Sequence, residues 1–368
     1  MINSLEGGGA ERVLSRLLAL SKSYAERYRI SLALLDKVTL AYPIPDFVTV
    51  HQLDSRGSFW RSIRELRRLV RDLDPALRLS FLTRANVANR FASQRRAVPW
   101  IVSERINTSA HLGTGLRALV VKALVRATYP RATRVIAVSR GVGEDLVRHY
   151  GVDRRRIDVV ANPVDLDAIR AEGAKPDALG IAGPFIFAMG RLTGSKNHAM
   201  LMRAFARSGL KARLVIAGEG PDREALLSCA QQLGIADRVD LPGFLANPYA
   251  TMRRARVFAL SSNVEGFPNA LVEALALSVP AVATNCPDGP AEILAGKSIE
   301  EVEGLVVAEA GVIVPVDDDG LLAEALKTLF EGPVRDAVTA GANQRVQDYS
   351  PRQAVDNYWG IIERALAR

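Results

Sequence analysis

The sequence predicts an α/β protein made of two Rossmann-like, doubly wound parallel-sheet domains, and three observations lead there. At 368 residues the chain is more than twice the usual domain length. Short aliphatic runs alternate with helical patterns from end to end, and continuous apolar runs between helices are how parallel strands buried on both faces read. The charge balance also changes sign along the chain: residues 1–165 carry 28 Lys and Arg against 15 Asp and Glu, and the remaining 203 carry 20 against 25.

In chain order, the three-residue stretch Ile2 to Ser4 runs at once into glycines and a helix pattern. The chain is therefore expected to begin inside its first strand. Strands follow at Ile30–Leu35, Leu77–Leu82, Trp100–Ser103, Val135–Val138 and Ile157–Val160, then at Phe185–Met189, Leu214–Ala217, Val239–Leu241, Val257–Leu260, Pro280–Ala283 and Val312–Val314. Between the first two, six arginines fall within Arg56–Arg71, and Trp60, Ile63, Leu66, Val70 and Leu73 recur at helical spacing. That helix is either an ordinary packed helix with a cationic outer face or one that lies on an anionic membrane surface. Nucleic acid is not expected as a partner, since no aromatic platform or binding motif accompanies the arginines. The stretch from Asn162 through Asp177, punctuated by Pro163, Gly173 and Pro176, reads as the linker. Boundaries of 1–165, 166–348 and a terminal segment 349–368 follow, the last starting with a cap at Ser350 and Pro351 at the first helical position.

Composition excludes several classes. Hydrophobic residues make up 48% and charged residues 24%, which is too apolar for a disordered chain. Cys229 and Cys286 cannot build a disulfide framework, and with His51, His111, His149 and His198 they offer no zinc spacing. A reduced compartment and no metal are the expectation. Apolar runs such as Val279–Thr284 fall far short of the roughly 20 residues that span a bilayer. Met1–Ala10 has neither the basic nor the apolar region of a signal peptide.

Four segments carry candidate chemistry. Gly7, Gly8 and Gly9 precede a helix whose unpaired amides suit a phosphate, although a glycine turn before a helix is by itself more often only a turn. Gly190, Arg191 and Lys196 lie in a loop after a strand, at the carboxyl edge where open sheets bind ligands, and two cations five residues apart suit a diphosphate. The sharpest segment is Ser261–Ala276. Gly266 and Pro268 force Glu265 into a loop, while Glu273 sits within a small, apolar helix, so both carboxylates are placed to accept hydroxyl hydrogen bonds. Last, Thr284–Leu294 forms another strand-to-helix turn on the same edge, where Glu292 either contacts substrate or favours the helix start.

Together these residues resemble the retaining glycosyltransferases of family 4, which have the GT-B fold, two Rossmann-like domains facing a central cleft. More narrowly they are similar to bacterial enzymes that add a hexose or N-acetylhexosamine to polyprenyl-diphosphate-linked glycans. The likeness rests most on Glu265 to Glu273 in the form Glu-Gly-Phe-Pro-Asn-Ala-Leu-Val-Glu, with Gly190–Asn197 and Gly8–Arg12 in support.

What the resemblance implies is a nucleoside-diphosphate sugar as donor, UDP preferred, and no cofactor or metal. Arg191 and Lys196 would hold the diphosphate, Glu265 the sugar hydroxyls and Glu273 the ribose. The amides of Gly266, Phe267, Pro268, Asn269, Ala270 and Leu271 would serve the sugar and phosphates, with Gly8 and Gly9 closing from the other domain. Ser139 and Asn162 match family landmarks near the cleft, and the terminal helix would cross back onto the first domain. One position departs from the family: relatives often carry His where this chain has Arg105, which either contacts an acceptor phosphate or the transferred sugar. The acceptor places the protein in the cytoplasm, peripheral at the inner membrane face, in lipopolysaccharide or other surface polysaccharide synthesis. Two other functions share the scaffold. A nucleotide-sugar epimerase would turn over donor without acceptor, and a non-catalytic sugar-nucleotide binder would never release nucleoside diphosphate.

Overall fold

The computed structural model describes residues 1–6, 9–92, 98–113 and 115–367. They form two compact units, Met1–Pro163 with Pro351–Arg368, and Val164–Ser350.

In the first unit β1 (Ile30–Leu34) pairs in parallel with β2 (Val48–Gln52), and β3 (Arg78–Phe81), β4 (Trp100–Glu104), β5 (Arg134–Ala137) and β6 (Ile157–Val159) form a parallel sheet in that order. Extended residues Met1 and Ile2 join the two. Ile2 donates to Ala33 O and accepts from Leu35 N, both at 3.0 Å, while Met1 O accepts from Phe81 N at 2.9 Å. Side chains alternate along these strands, so Phe81, Ile101 and Ile136 bury one face and Val102 and Val135 the other. The first face is covered by the helix Gly9–Ala19 and by the terminal helix Pro351–Leu366, where Trp359 stacks on Tyr24 at 4.5 Å and donates to Ser21 Oγ at 2.9 Å. On the second lie Thr83–Ala92, Leu116–Thr128 and Arg140–Tyr150.

The arginine-rich helix runs Phe59–Leu73, capped by Ser58, and buries Ile63, Leu66 and Val70. Trp60 and Leu73 differ from the expected stripe, being 77% and 40% exposed. Steps of three residues fall short of the 3.6-residue turn, so the stripe drifts and Trp60 rotates out of the packed face.

The second unit has one sheet of seven strands. Its order is β12 (Val306–Ala308), β13 (Gly311–Val314), β11 (Ala281–Thr284), β10 (Val257–Leu260), β7 (Phe185–Met189), β8 (Arg213–Ala217), β9 (Val239–Gly243), all parallel except the edge hairpin β12–β13. β2 and β12 are absent from the sequence reading: β2 is half-exposed, and β12 is three residues long on an edge. The expected linker is also not open chain. Asp165 caps a helix, Leu166–Gly173, that buries Leu166 and Ile169 within the second unit. Among the described residues no helix is long and apolar enough to cross a membrane.

Candidate functional site

The order of the seven-stranded sheet reverses between β7 and β10: the chain leaves β7 toward β8 and β9 on one side, then returns to β10 and runs outward through β11 on the other. At such a switch point the loops after the two central strands diverge and leave a crevice beyond the carboxyl ends. Those loops are Gly190–Asn197 and Ser261–Pro268, the two that carry the candidate cations and the first glutamate.

Lys196 Nζ stands 2.5 Å from Glu265 Oε1. Ser262 Oγ donates to the same oxygen at 2.6 Å, and Glu265 N donates to Pro287 O at 3.2 Å. The Glu265 side chain is 9% exposed and the Lys196 side chain 24%, so the pair sits at the lip of the protein interior. No described residue hydrogen-bonds Oε2. Backbone contacts lace the two loops together: Ser261 Oγ donates to Lys196 O at 2.9 Å, and Asn263 N to Ser195 O at 2.8 Å. Asn197, itself in the left-handed region at φ 48°, caps the helix His198–Ser208 and donates to Asn263 Oδ1 at 2.9 Å and Asp317 Oδ1 at 2.8 Å. Arg191 is exposed on the same loop, and its guanidinium bonds no described side chain.

Gly190 is fixed by a close approach. Its N–H donates to Ala217 O at 3.0 Å, and a Cβ on Gly218 (φ 140°) would stand 1.9 Å from Gly190 O. Only glycine allows β8 to turn away here. The Gly218–Gly220 pair after a strand was a legible signal that the sequence reading did not use.

Beyond Glu265 the helix Asn269–Ala276 starts after Pro268, and Glu273 lies in it, 4% exposed, accepting from Tyr249 OH at 3.2 Å. The expected row of amides from Gly266 to Leu271 is shorter than the sequence reading supposed. Pro268 has no N–H, and Leu271 N donates to Pro268 O at 3.0 Å. Gly266 and Phe267 N–H have no partner among the described residues. Phe267 packs edge-on against Tyr349 at 5.4 Å and holds the turn.

Two buried groups under these loops were missed. His198 follows Asn197 directly, is 5% exposed, and has its imidazole pushed down to about 4, chiefly by burial and then by the Lys196 charge. Cys286, on the neighbouring loop, has a thiol pushed far up by burial and then by Glu265. Both are uncharged at neutral pH, so the charged groups here are the cations and carboxylates.

In the first unit, Arg105 follows β4 and is only 8% exposed. Burial lowers its pKa, and its guanidinium donates to Asn162 Oδ1 and, at 2.7 Å, to the Tyr358 hydroxyl of the terminal helix. Ser103 Oγ meets the same hydroxyl at 3.1 Å. Arg105 and Asn162 are thus partners of one another. Ser139 caps the helix Arg140–Tyr150, its Oγ accepting from Val142 N at 3.2 Å. Gly9 opens the first helix, and Gly8 lies outside the described residues.

Comparison with known proteins adds two family models and a set of relatives. The model for glycosyl transferases group 1 matches residues 175–347, and that for Glycosyltransferase Family 4 matches residues 7–168. A Campylobacter jejuni protein named N-acetylgalactosamine-N,N'-diacetylbacillosaminyl-diphospho-undecaprenol 4-alpha-N-acetylgalactosaminyltransferase is 32% identical over 346 residues, 90% of this chain and 89% of the relative. Another from the same organism, a GalNAc-alpha-(1->4)-GalNAc-alpha-(1->3)-diNAcBac-PP-undecaprenol alpha-1,4-N-acetyl-D-galactosaminyltransferase, is 25% identical over 98% of this chain and 97% of its own. Among solved structures, Anabaena Alr3699/HepE in complex with UDP superposes with a TM-score of 0.78 at 20% identity, covering 98% of both chains. At that identity the likeness shows the shared GT-B fold alone.

Proposed function

The chain belongs to glycosyltransferase family 4, and on that premise we propose that it moves a hexose or N-acetylhexosamine from a nucleoside diphosphate, UDP by preference, to a polyprenyl-diphosphate-linked glycan, with retention at the anomeric carbon. That it is a glycosyltransferase follows from its family. The choice of acceptor is supported by the two Campylobacter jejuni relatives, whose names specify undecaprenol diphosphate carriers.

The Lys196–Glu265 pair at the switch point carries the reading. Departure of the donor's diphosphate places negative charge on its β-phosphate while positive charge grows at the anomeric carbon. Lys196 and Arg191 meet the first as a point charge and a flat fork, and the Gly266 and Phe267 amides add fixed dipoles. Glu265 fixes Nζ through Oε1 and offers Oε2 to sugar hydroxyls. Glu273, held by Tyr249, receives the ribose.

Retention is reached on one face of the sugar. The bond from the anomeric carbon to the β-phosphate oxygen breaks, the acceptor oxygen bonds the same face, and its proton passes to the departing phosphate oxygen. No separate base is required on the protein. The reaction is placed at the inner membrane face, where the Phe59–Leu73 helix with its arginines fits an anionic lipid surface.

The test is a donor screen by thermal shift, followed by mass spectrometry and anomeric NMR of the product formed on a polyprenyl-diphosphate glycan. An α-linked sugar from an α-linked UDP donor is the expected product. Inversion, or turnover of donor only without acceptor, would contradict the proposal.

A further inference from the structure

We infer that the helix Leu116–Thr128 inserts an apolar face into one leaflet of an anionic bilayer and so anchors the first unit; the inference deepens the membrane reading above and rests on it. Leu116, Leu119 and Val120 are 79%, 62% and 53% exposed, and Ala123 and Ala127 are exposed as well. At 3.6 residues per turn these five positions form one stripe. The opposite side buries Ala118, Val125 and Thr128, so the helix is fixed to the unit with its aliphatic side outward.

Charge selects the occupant. The helix has no acidic residue, and Arg117 and Arg126 flank the stripe in exposed positions. Leu124, at the edge of the stripe, lines a cavity of about 690 Å³ shared with Trp60, Ile63, Arg64 and Arg67 of the Phe59–Leu73 helix. Apolar side chains pointing out between cations, beside a Trp that is 77% exposed, match the hydrocarbon and phosphate levels of a lipid leaflet. An acidic protein surface would satisfy the cations but leave the aliphatic stripe facing polar groups.

The experiment uses the full chain with vesicles of phosphatidylcholine alone or mixed with phosphatidylglycerol, at low and high salt. Trp60 reports insertion, because Trp100 and Trp359 are each 8% exposed, and acyl-chain bromines quench only an indole that reaches them. Wild type is expected to float with the anionic vesicles, to be quenched, and to stay partly bound at high salt. The Leu116→Gln/Leu119→Gln/Val120→Gln variant is expected to bind at least about a hundredfold more weakly, from three aliphatic side chains no longer leaving water. Its quenching should disappear, while its melting temperature and transfer to a short, water-soluble acceptor stay unchanged.

A variant that floats and is quenched like wild type overturns insertion by this helix. So does a wild-type dimer that the variant dissolves, which would make the face a contact between copies. Failure of the wider membrane reading looks different: wild type would then float with neither vesicle, and the Arg64→Gln/Arg67→Gln/Arg68→Gln variant would match it throughout.

Discussion

Removing Lys196 tests the site at its most exposed dependency. In Lys196→Ala, Glu265 keeps the Ser262 hydrogen bond at 2.6 Å but loses its cation at 2.5 Å. A fully buried pair broken on one side costs about 3–5 kcal/mol, and an exposed one about 0–1. With the side chains 9% and 24% exposed this pair lies between, so the melt should report a loss of about 2–3 kcal/mol. Glu265→Gln keeps an acceptor for Ser262 and strands only the better-hydrated ammonium, so it should cost about 1–2 kcal/mol. Because both variants break one contact, the double variant should fall short of the sum by about 1–2 kcal/mol. Turnover behaves differently. Losing one electrostatic stabiliser of the departing phosphate lowers kcat by roughly a hundredfold or more in Lys196→Ala, and Glu265→Ala should do the same through the sugar. The assay is nucleoside diphosphate release under saturating donor, beside thermal melts of all variants. Near-normal kcat in a folded Lys196→Ala protein, or full additivity in stability, would refute the reasoning.

Other outcomes follow from the groups beneath the site. His198, with its folded pKa near 4 against the ordinary 6.5, takes up its proton more readily when unfolded, so stability should fall as pH drops from about 6.5 to 4 and level off below, by at most about 3 kcal/mol. His198→Gln should remove that component of a pH-dependent melt, and an unchanged profile would contradict it. Native protein treated with a thiol reagent at neutral pH should label Cys229 and spare Cys286, whose raised thiol is buried; equal labelling would show that the loop opens. Gly218→Ala places a Cβ 1.9 Å from Gly190 O, so it should cost about 2–4 kcal/mol in the melt and weaken donor binding, while Gly234→Ala, at another left-handed turn but with open space around it, should cost less.

Much of this architecture could be read from the chain because central parallel strands are buried on both faces: Phe185–Met189 and Val257–Leu260 are unbroken apolar runs for that reason. Edge strands carry a weaker mark. Val48–Gln52 has only Val48 buried, its other residues being partly or fully exposed, and Val306–Ala308 is too short to stand out. The helix Leu166–Gly173 hides among the prolines and glycines that made its surroundings read as linker, yet Asp165 is a cap with a helix behind it. At the site, Lys196 and Glu265 were legible because each is a charged residue in a glycine-punctuated loop after a strand. Their supports were not. Asn197, Asn263 and Asp317 meet only through the tertiary fold, separated by up to 120 positions, and His198 looks like any helix residue until its burial is known. Arg105 was legible as a departure from the family but not in its direction, since its partners Tyr358 and Asn162 are remote in sequence.

The central claim is that a nucleoside diphosphate sits on the switch-point loops of the second unit. A structure of the full chain with UDP bound measures it directly: β-phosphate oxygens should lie within about 3.2 Å of Lys196 Nζ and of the Arg191 guanidinium, with the ribose hydroxyls on Glu273. Diphosphate bound elsewhere, with the Lys196–Glu265 pair untouched and Arg191 still in solvent, would contradict the account.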